Sequence, residues 1–553
     1  MGGGFRARGW GAFRSLAGNG ALVRVLGGYV LFTLTQYSVW VAMLVYAYHQ
    51  GGAAIAGLVA VAQLVPAAVL APVAVAVADR RSPVFLLAGG YLVQAAGMAA
   101  TAVAIIAGVP LAAYAAAVVA SAAVATTRPA QSTLIPSVSA TPDQLTAGNV
   151  AVSWVEAAGI AVAGLMTGAL ISVAGVASVF TVCAVLGAAA MALVAGLRVP
   201  PLASSPERAP AVLAGLGQSI RLAARQPRLR LLLALLTAEA IVVGALDLLF
   251  VILAISVLHR PQAWAGYLNS AYGVGAVLAA LVTATLVGRR LGLPILGAAL
   301  VLSGALAALA FGLGLAGTVT LLIVVGASRA LLDVASRTLL QRSVPAQSLG
   351  RIFGLLEGLT MAGLAVGALL VPALVHLGGN PLALLGVAAV LPLAATVGGR
   401  RLFRLDAGAP VPVVQIALLR SLPLFAELPA PALEGLAGAL TPAAVSAGTV
   451  LIRQGDPGDA YYAIAAGEFD VRHDGHLQRR CGRGEGVGEI ALLRAIPRTA
   501  TVTAHTDGTV YKLQREPFLT AVLGHAPTQR HADQIADTRL TADAAPVTEN
   551  PQG

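Results

Sequence analysis

The chain has 553 residues, of which 58% are hydrophobic and only 11% are charged, and its mean hydropathy is +0.84. Soluble domains carry about 25% charged residues, so this composition excludes an ordinary soluble protein and indicates an integral membrane protein. The net charge of +11 does not indicate nucleic acid as a partner, because the arginines lie singly or in short groups between apolar runs. Cys183 and Cys481 are the only cysteines, which excludes a disulfide framework or a Cys-based metal site.

Apolar runs long enough to cross a bilayer, roughly 20 residues each, fill the chain from residue 22 to residue 399. After an N-terminal segment, 1–21, we predict a first half of six spans over 22–197 and a second half of six over 229–399. A central loop, 198–228, separates the halves. The twelve predicted spans lie near 22–47, 52–78, 84–108, 109–127, 146–173, 175–197, 229–257, 263–287, 292–314, 316–340, 352–377 and 380–399.

Charge alternates along the loops between these spans. Loops with several arginines fall on one side of the predicted membrane, and loops on the other side carry no Lys or Arg except Arg260. Because positively charged loops remain in the cytoplasm, this pattern places both termini there. We therefore expect a multi-pass protein of the cell membrane, with the lipid bilayer as its surroundings.

The loop after the second span carries Asp79, Arg80 and Arg81. Together with six plus six spans and a long middle loop, this sequence resembles the major facilitator superfamily over about the first 400 residues. The resemblance implies a secondary active transporter of a small-molecule substrate, with these three residues in a gating loop.

Three further stretches bear on the branch of that superfamily. Arg128–Gln131, Pro136 and Leu145–Asn149 are similar to the branch of siderophore and drug exporters, which implies efflux coupled to protons. Gly159–Gly164 matches the glycine motif of antiporters poorly, since the Pro and one Gly are missing. Proton coupling is thus an expectation of the branch that this motif does not support.

Charged side chains within the predicted spans cost about 2.5–3.5 kcal/mol each on insertion scales and need a reason to persist. Arg329 and Asp333 are four residues apart on one helical face and could neutralise each other. Glu239 and Asp247 have no Lys or Arg within a helical turn, so they are candidates for taking up and releasing a proton. The alternative, weighed equally, is that they pair with Arg329 across helices.

Polar and aromatic side chains in two predicted spans suggest a cavity for an amphipathic organic molecule. Those in the first span are Gln36, Tyr37 and Trp40, and those in the fifth are Asn149, Ser153 and Trp154. Aromatic residues at these spacings also serve as packing or interface anchors, and both interpretations stay open.

A linker, 400–414, precedes a region of ordinary composition, 415–540, and a tail, 541–553, that is predicted to be disordered. Glu489 and Arg498 stand nine residues apart around a short apolar run. A carboxylate accepts hydrogen bonds from sugar hydroxyls, and a guanidinium binds phosphate through charge-assisted, two-pronged bonds. The pair therefore predicts a ribose phosphate as ligand.

The stretch from Gly488 to Val502 resembles the phosphate-binding cassette of cyclic-nucleotide-binding domains, and Leu451–Asp459 matches the turn glycines of that family. The resemblance covers about the last quarter of the chain. It implies a C-terminal β-barrel of the double-stranded β-helix or jelly-roll type, with flanking helices, that binds cyclic AMP or cyclic GMP. Val487 stands where the family often has an aromatic residue.

By this resemblance, Glu489 holds the ribose 2′-hydroxyl and Arg498 the cyclic phosphate. Ala491 and Ala500 offer backbone N–H groups, and Thr499 contacts phosphate or base. Gly488 and Ile490 complete the predicted site. The alternative is a barrel that has lost ligand binding and serves as an adaptor.

We predict no catalytic residues and no enzyme activity. The only Lys, Lys512, lies in a predicted strand without a Walker loop, and the histidines show no zinc spacing. The predicted fold is an all-α polytopic membrane protein of twelve helices with a C-terminal β-barrel. The predicted function is export of a small organic molecule under allosteric control by a cyclic nucleotide; a membrane-anchored nucleotide sensor without transport is the rival.

Overall fold

A computed structural model describes residues 18–78, 82–138, 142–197, 221, 226–283, 290–344, 346–408, 413–425, 428, 430–523, 528 and 532–538. The chain divides into two compact units, one formed by most of residues 1–409 and the other by residues 410–553 together with two short loop segments. Each unit is described by itself.

The first unit is helical throughout its described residues. Its apolar helices give the helical membrane region that the composition predicts. The helices are α1 (Gly20–Ala78), α2 (Pro83–Ile106), α3 (Pro110–Val138), α4 (Pro142–Ala174), α5 (Val176–Val194), α6 (Pro227–Ile252), α7 (Trp264–Thr283), α8 (Gly292–Leu309), α9 (Gly314–Ser343) and α10 (Ala346–Gly408); a π-helical turn (Leu253–Val257) follows α6.

The two longest helices each break at a Gly-Gly pair. In α1 the break is at Gly51 and Gly52, and in α10 it is at Gly378 and Gly379. Gly52 has φ of 64° and Gly379 has φ of 73°, a conformation that costs glycine little and other residues more. The first break lies at the start of the predicted span 52–78, and the second lies between the predicted spans 352–377 and 380–399.

Within the described residues, eight helices are long and apolar enough to cross a membrane. Two of these candidates, over 20–66 and 352–395, are 47 and 44 residues long and run through the breaks. The prediction of several membrane helices is confirmed; the count of twelve stays a prediction.

Glycines let several of these helices approach closely. A Cβ on Gly326 of α9 would collide with the carbonyl oxygen of Tyr272 in α7. A Cβ on Gly275 of α7 would likewise collide with the carbonyl oxygen of Ile323 in α9. Small residues at such contacts permit the van der Waals packing on which membrane helices depend. The α7–α9 pair is thus packed with no room for larger side chains at these points.

The second unit combines short helices with two four-stranded antiparallel sheets, in the orders β1-β8-β3-β6 and β2-β7-β4-β5. The predicted antiparallel β domain is therefore confirmed. Its elements are α11 (Val413–Ser421), a 3-10 turn (Pro423–Phe425), α12 (Ala430–Ala439), β1 (Thr441–Val445), β2 (Val450–Ile452), β3 (Ala460–Ala466), β4 (Phe469–His473), β5 (His476–Cys481), β6 (Gly486–Val487), α13 (Glu489–Arg494), β7 (Thr501–Ala504), β8 (Gly508–Gln514) and α14 (Arg515–Leu523).

Two apolar cores hold this unit together. One contains Phe469, Ile464 and Val510, buried side chains of the strands. The other joins the helices to β3, where the Tyr461 ring stacks on Phe518 with 5.1 Å between ring centroids. The strands and helices thereby fix the segment between β6 and β7, which carries the predicted ligand-binding residues.

Candidate functional site

The predicted site occupies the connection from β6 to β7. Gly488 follows β6 in the left-handed region, at φ 95°, and α13 begins at Glu489. A Cβ at Gly488 would approach the Nη1 atom of Arg498 to 2.5 Å, so glycine is needed both for the backbone and for the space. Ala495, also left-handed at φ 53°, ends α13 and returns the chain towards Arg498 and β7.

Arg498 is buried, with 5% of its surface exposed. Its Nη1 donates to the Gly488 carbonyl oxygen at 2.8 Å, and its Nη2 donates to the Ala460 carbonyl oxygen at 2.7 Å and to Asp459 Oδ1 at 3.0 Å. These bonds use three of the five N–H groups of a guanidinium. The side chain is thus held in place with donors left over for a ligand.

Asp459 links Arg498 to Lys512, whose Nζ donates to Asp459 Oδ2 at 3.0 Å. Burial acts to raise the pKa of Asp459, but the hydrogen bonds from Lys512 and Arg498 outweigh it and lower that pKa from its usual value. The hydrogen bond to Asp459 in turn raises the pKa of Lys512. At neutral pH the cluster therefore carries two positive charges and one negative charge, which favours an anion nearby.

Glu489 is 2% exposed and directly follows Gly488, the residue between β6 and α13. A buried carboxylate needs hydrogen-bond donors, which a sugar hydroxyl can supply. Glu489 also lines a second recess with Tyr461, Gln534 and Thr538.

One concave pocket brings the predicted residues together. All seven predicted residues line it, together with five that were not among the predicted site residues. The lining is Ile452, Val471, Arg479, Val487, Gly488, Glu489, Ile490, Ala491, Arg498, Thr499, Ala500 and Val502.

Sequence reasoning missed several residues that build this pocket. Asp459 lies in the glycine turn that the family resemblance used, but its contact with Arg498 spans 39 residues and has no sequence signal. His473 Nδ1 lies 2.7 Å from the Thr499 carbonyl oxygen and supports the cassette from β4. Arg479 reaches the pocket from β5 and pairs with Glu485 at 3.3 Å.

The predicted membrane residues form one ion pair across helices and another along one helix. Arg329 of α9 donates to Glu239 Oε1 of α6 at 3.1 Å, and Asp333 pairs with Arg337 at 2.6 Å instead of with Arg329. An acid followed by a base four residues later is a favourable order on a helix. Asp247 accepts a hydrogen bond from Trp40 Nε1 of α1 at 2.9 Å.

Several predicted features lie outside the described residues. The gating-loop residues Asp79, Arg80 and Arg81 are among them, as are most of the central loop and the tail. Their predicted roles stay predictions. Among the described residues, no group of three or more His, Cys, Asp or Glu side chains could hold a metal ion.

The fold and the pocket define a multi-pass helical membrane protein with an added antiparallel β domain. Residues 25–356 match the family model of the Major Facilitator Superfamily, and the chain belongs to this family. Residues 443–525 match the model of the cyclic nucleotide-binding domain, which supports a cyclic nucleotide as regulatory ligand. Neither is a family of enzymes.

Relatives of the C-terminal part include two fungal regulatory subunits of cAMP-dependent protein kinase. The Yarrowia lipolytica protein is 38% identical over 112 residues, or 19% of this chain and 30% of that protein. The Aspergillus niger protein is 38% identical over 104 residues, or 18% of this chain and 25% of that protein. The chain thus spans less than a third of each relative's length.

Among solved structures, the regulatory domain of Toxoplasma gondii PKA with cAMP is similar to this chain at 30% identity. The similarity covers 24% of this chain and 50% of that one, with a TM-score of 0.21.

Proposed function

We propose that the protein is a secondary active transporter that exports a small organic molecule and is regulated by a cyclic nucleotide. The transporter comprises twelve spans in two halves, 22–197 and 229–399, joined by the loop 198–228 and preceded by the segment 1–21. The linker 400–414 leads to a nucleotide-binding domain of jelly-roll type over 415–540, which the tail 541–553 follows. Both termini lie in the cytoplasm of a cell-membrane protein.

The observation that carries the regulatory part is that Glu489 and Arg498, both buried, line one pocket. In the proposed complex, Glu489 accepts the ribose 2′-hydroxyl hydrogen bond. The free N–H groups of Arg498 bind the cyclic phosphate, and the chain N–H groups around Ala491 and Ala500 add donors. These contacts are common to cyclic AMP and cyclic GMP and do not distinguish the two bases. Thr499 and Arg479, which also line the pocket, are the candidates for contacting the base.

Regulation requires a path from the pocket to the rest of the chain, and α13 offers one. Its first residue is Glu489, and its last, Arg494, pairs with Asp537 at 2.6 Å and Asp533 at 3.4 Å in the helical residues 532–538. A ligand that moves α13 therefore also moves the C-terminal helical residues. Nucleotide binding can bias one transporter state only by its differential affinity for the two states, commonly about 1–3 kcal/mol.

Proton coupling is part of the proposal, with Glu239 and Asp247 as carriers, Arg329 and Asp333 as their charged neighbours, and residues 79–81 as the gating loop. Glu239 is 3% exposed, and its Oε2 has no hydrogen-bond partner among the described residues, so a proton can be held there. Arg329 pairs with Glu239 at 3.1 Å, so protonation of Glu239 would remove the negative charge that faces this guanidinium.

Binding is tested by calorimetric titration of the purified full chain with cyclic AMP and with cyclic GMP. We expect micromolar binding of at least one nucleotide in the wild type and its loss in Arg498→Ala. The absence of binding to both nucleotides by the folded wild type would contradict the regulatory proposal and leave a transporter with a non-binding barrel.

A separate experiment tests transport and distinguishes a transporter from a membrane-anchored sensor. Proteoliposomes with an imposed proton gradient are followed by an internal pH dye while a panel of cationic, neutral and anionic organic compounds is added. We expect a compound-dependent proton flux that Asp247→Asn abolishes. A protein that binds nucleotide but carries no flux with any compound would favour the sensor.

A further inference from the structure

The last part of the pocket segment before β7 is irregular backbone. The turn between β2 and β3 holds its first residue through two backbone bonds: the Gly455 N–H donates to the Arg498 carbonyl oxygen at 2.9 Å, and the Arg498 N–H donates to the Asp456 carbonyl oxygen at 2.8 Å. Thr499 and Ala500 follow and line the pocket. Because these two residues belong to no helix or strand, individual hydrogen bonds must fix their peptide groups.

A side chain from β4 holds the next carbonyl group. His473 Nδ1 lies 2.7 Å from the Thr499 carbonyl oxygen. A carbonyl oxygen can only accept a hydrogen bond, so Nδ1 carries the hydrogen and donates it. His473 is not part of the pocket lining, whereas Thr499 is. The imidazole therefore contacts the backbone of the ligand-binding segment from outside the pocket.

The imidazole ring is itself held in place. Its Nε2 lies 3.4 Å from Asp474 Oδ2, and the other carboxylate oxygen of Asp474 accepts a hydrogen bond from Gln454 Nε2 at 2.7 Å. The Asp474 N–H donates back to Gln454 Oε1 at 3.0 Å, and the Gln454 N–H donates to Thr501 Oγ1 at 3.0 Å. These bonds tie the turn between β4 and β5 to the turn between β2 and β3 and to the start of β7. The ring is thus oriented at both of its nitrogens.

One peptide unit connects this contact to the pocket. The Thr499 carbonyl and the Ala500 N–H belong to the same planar, trans peptide group, so they point in opposite directions. Because the carbonyl is bonded to His473, outside the pocket, the N–H is turned to the other side. Ala500 is 8% exposed and lines the pocket. A hydrogen bond accepted by the carbonyl also polarises the peptide group and makes its N–H a stronger donor.

We infer that His473 is a positioning residue for the nucleotide phosphate: by holding the Thr499 carbonyl, it directs the Ala500 N–H to a phosphate oxygen. The ligand then meets a donor that is already oriented, so less conformational entropy is lost on binding. His473 contacts no ligand atom, and its effect passes through one peptide group. The inference rests on the proposed binding of a cyclic nucleotide and adds a residue that determines its affinity.

The test is calorimetric titration of the purified full chain with cyclic AMP and with cyclic GMP. His473→Asn places an amide nitrogen donor where Nδ1 stands, and His473→Leu has the shape of asparagine without a donor. His473→Val, which favours a β-strand, is a second variant without a donor. His476→Asn and His476→Leu are matched controls, because His476 is exposed, lies opposite His473 on β5 and does not line the pocket. Melting temperatures verify that each variant is folded.

We expect His473→Leu and His473→Val to bind nucleotide about three- to tenfold more weakly than the wild type, which corresponds to the loss of one neutral hydrogen bond. His473→Asn should bind within about twofold of the wild type, because it retains the donor. Both His476 variants should also bind within about twofold of the wild type, as exposed substitutions away from the pocket do.

The two phosphorothioate diastereomers of the nucleotide distinguish this role from a general loosening of the pocket. Each replaces one exocyclic phosphate oxygen by sulfur, which is a larger and weaker acceptor. We expect the diastereomer with sulfur towards Ala500 to bind His473→Leu and the wild type with nearly equal affinity, because its contact with the N–H is already weakened. The other diastereomer should show the full loss of affinity in His473→Leu.

Wild-type affinity in the folded variants without a donor would overturn the inference. So would an equal loss for both diastereomers, or a folded His473→Asn that binds as weakly as His473→Leu. The wild-type titration separates these results from failure of the proposed function. If the folded wild type binds neither nucleotide, both proposals are wrong; if it binds and every His473 variant binds equally well, only the positioning role is wrong.

Discussion

Replacing Arg498 by Ala removes from the pocket a buried side chain that is held by several hydrogen bonds. The guanidinium has 4% of its side-chain surface exposed and makes three hydrogen bonds within the domain. With nucleotide bound, the change also leaves a buried phosphate without its cation. Removing one partner of a buried, hydrogen-bonded charge pair costs about 2–5 kcal/mol of binding, which weakens affinity by about 25-fold to 4,000-fold.

The same change lowers the stability of the domain. Each of the three lost hydrogen bonds contributes about 0.5–1.5 kcal/mol, so we expect a loss of about 1.5–4.5 kcal/mol in total. Melting of the full chain, followed at the β-sheet signal, shows whether the variant is still folded at the temperature of the titration. Arg498→Lys provides a second variant, because it keeps the charge but loses the forked geometry, and its affinity should lie between those of the wild type and the Ala variant.

The assay is calorimetric titration of wild type, both Arg498 variants and Arg472→Ala. Arg472, on β4, is 46% exposed and does not line the pocket, so its removal should leave nucleotide affinity within about twofold. Folded Arg498→Ala with wild-type affinity would refute the assignment of the phosphate to this guanidinium. An equal loss of nucleotide affinity in Arg472→Ala would show that the effect of Arg498→Ala comes only from the change in net charge.

Three further predictions concern the ribose contact, the acid stability of the pocket and helix packing. Glu489→Gln should bind the nucleotide about tenfold more weakly and lose the preference for it over its 2′-deoxy analogue, measured by competition; an unchanged preference would contradict the ribose contact. Because the folded-state pKa of Asp459 is lowered by Lys512 and Arg498, its stabilisation is present above the unfolded pKa of about 3.9 and is lost as the pH falls through the folded value. Melting temperatures from pH 7 to pH 2 should therefore fall less steeply at the acid end in Asp459→Asn than in the wild type, and parallel curves would count against this pairing. Gly326→Val should abolish stable expression, because the valine side chain would collide with the Tyr272 carbonyl oxygen. Gly297→Val should express normally, because a Cβ at Gly297 meets nothing within 4 Å. Equal yields of the two variants would refute the close packing of α7 and α9.

Features that depend on local sequence were predictable. Gly51-Gly52 and Gly378-Gly379 lie at or next to the ends of predicted spans because apolar runs are interrupted there, and the structure breaks its helices at both pairs. Glu489 and Arg498 were found together because the short helix between them brings residues nine apart to one pocket. In each case the determining interactions lie within about ten residues.

Contacts between distant elements were not predictable in the same way. Trp40 and Asp247 are 207 residues apart, and Arg329 and Glu239 are 90 apart. Their pairing depends on the rotation of each helix about its axis, which packing of the whole unit determines. The sequence therefore left two options for Glu239, proton carrier or partner of Arg329; the structure shows the ion pair, and the role in proton transfer stays a proposal. Asp333, assigned to Arg329 by spacing alone, had the equally spaced Arg337 available and pairs with it.

The central claim is that nucleotide binding in the C-terminal domain alters the membrane helices. Hydrogen exchange of the full chain in lipid nanodiscs, measured by mass spectrometry with and without saturating nucleotide, tests it without knowledge of the substrate. We expect nucleotide to change exchange in peptides from α6 and α9 in the wild type and to have no effect in Arg498→Ala. Changes confined to residues 415–540 of a wild type shown to bind nucleotide would contradict the account.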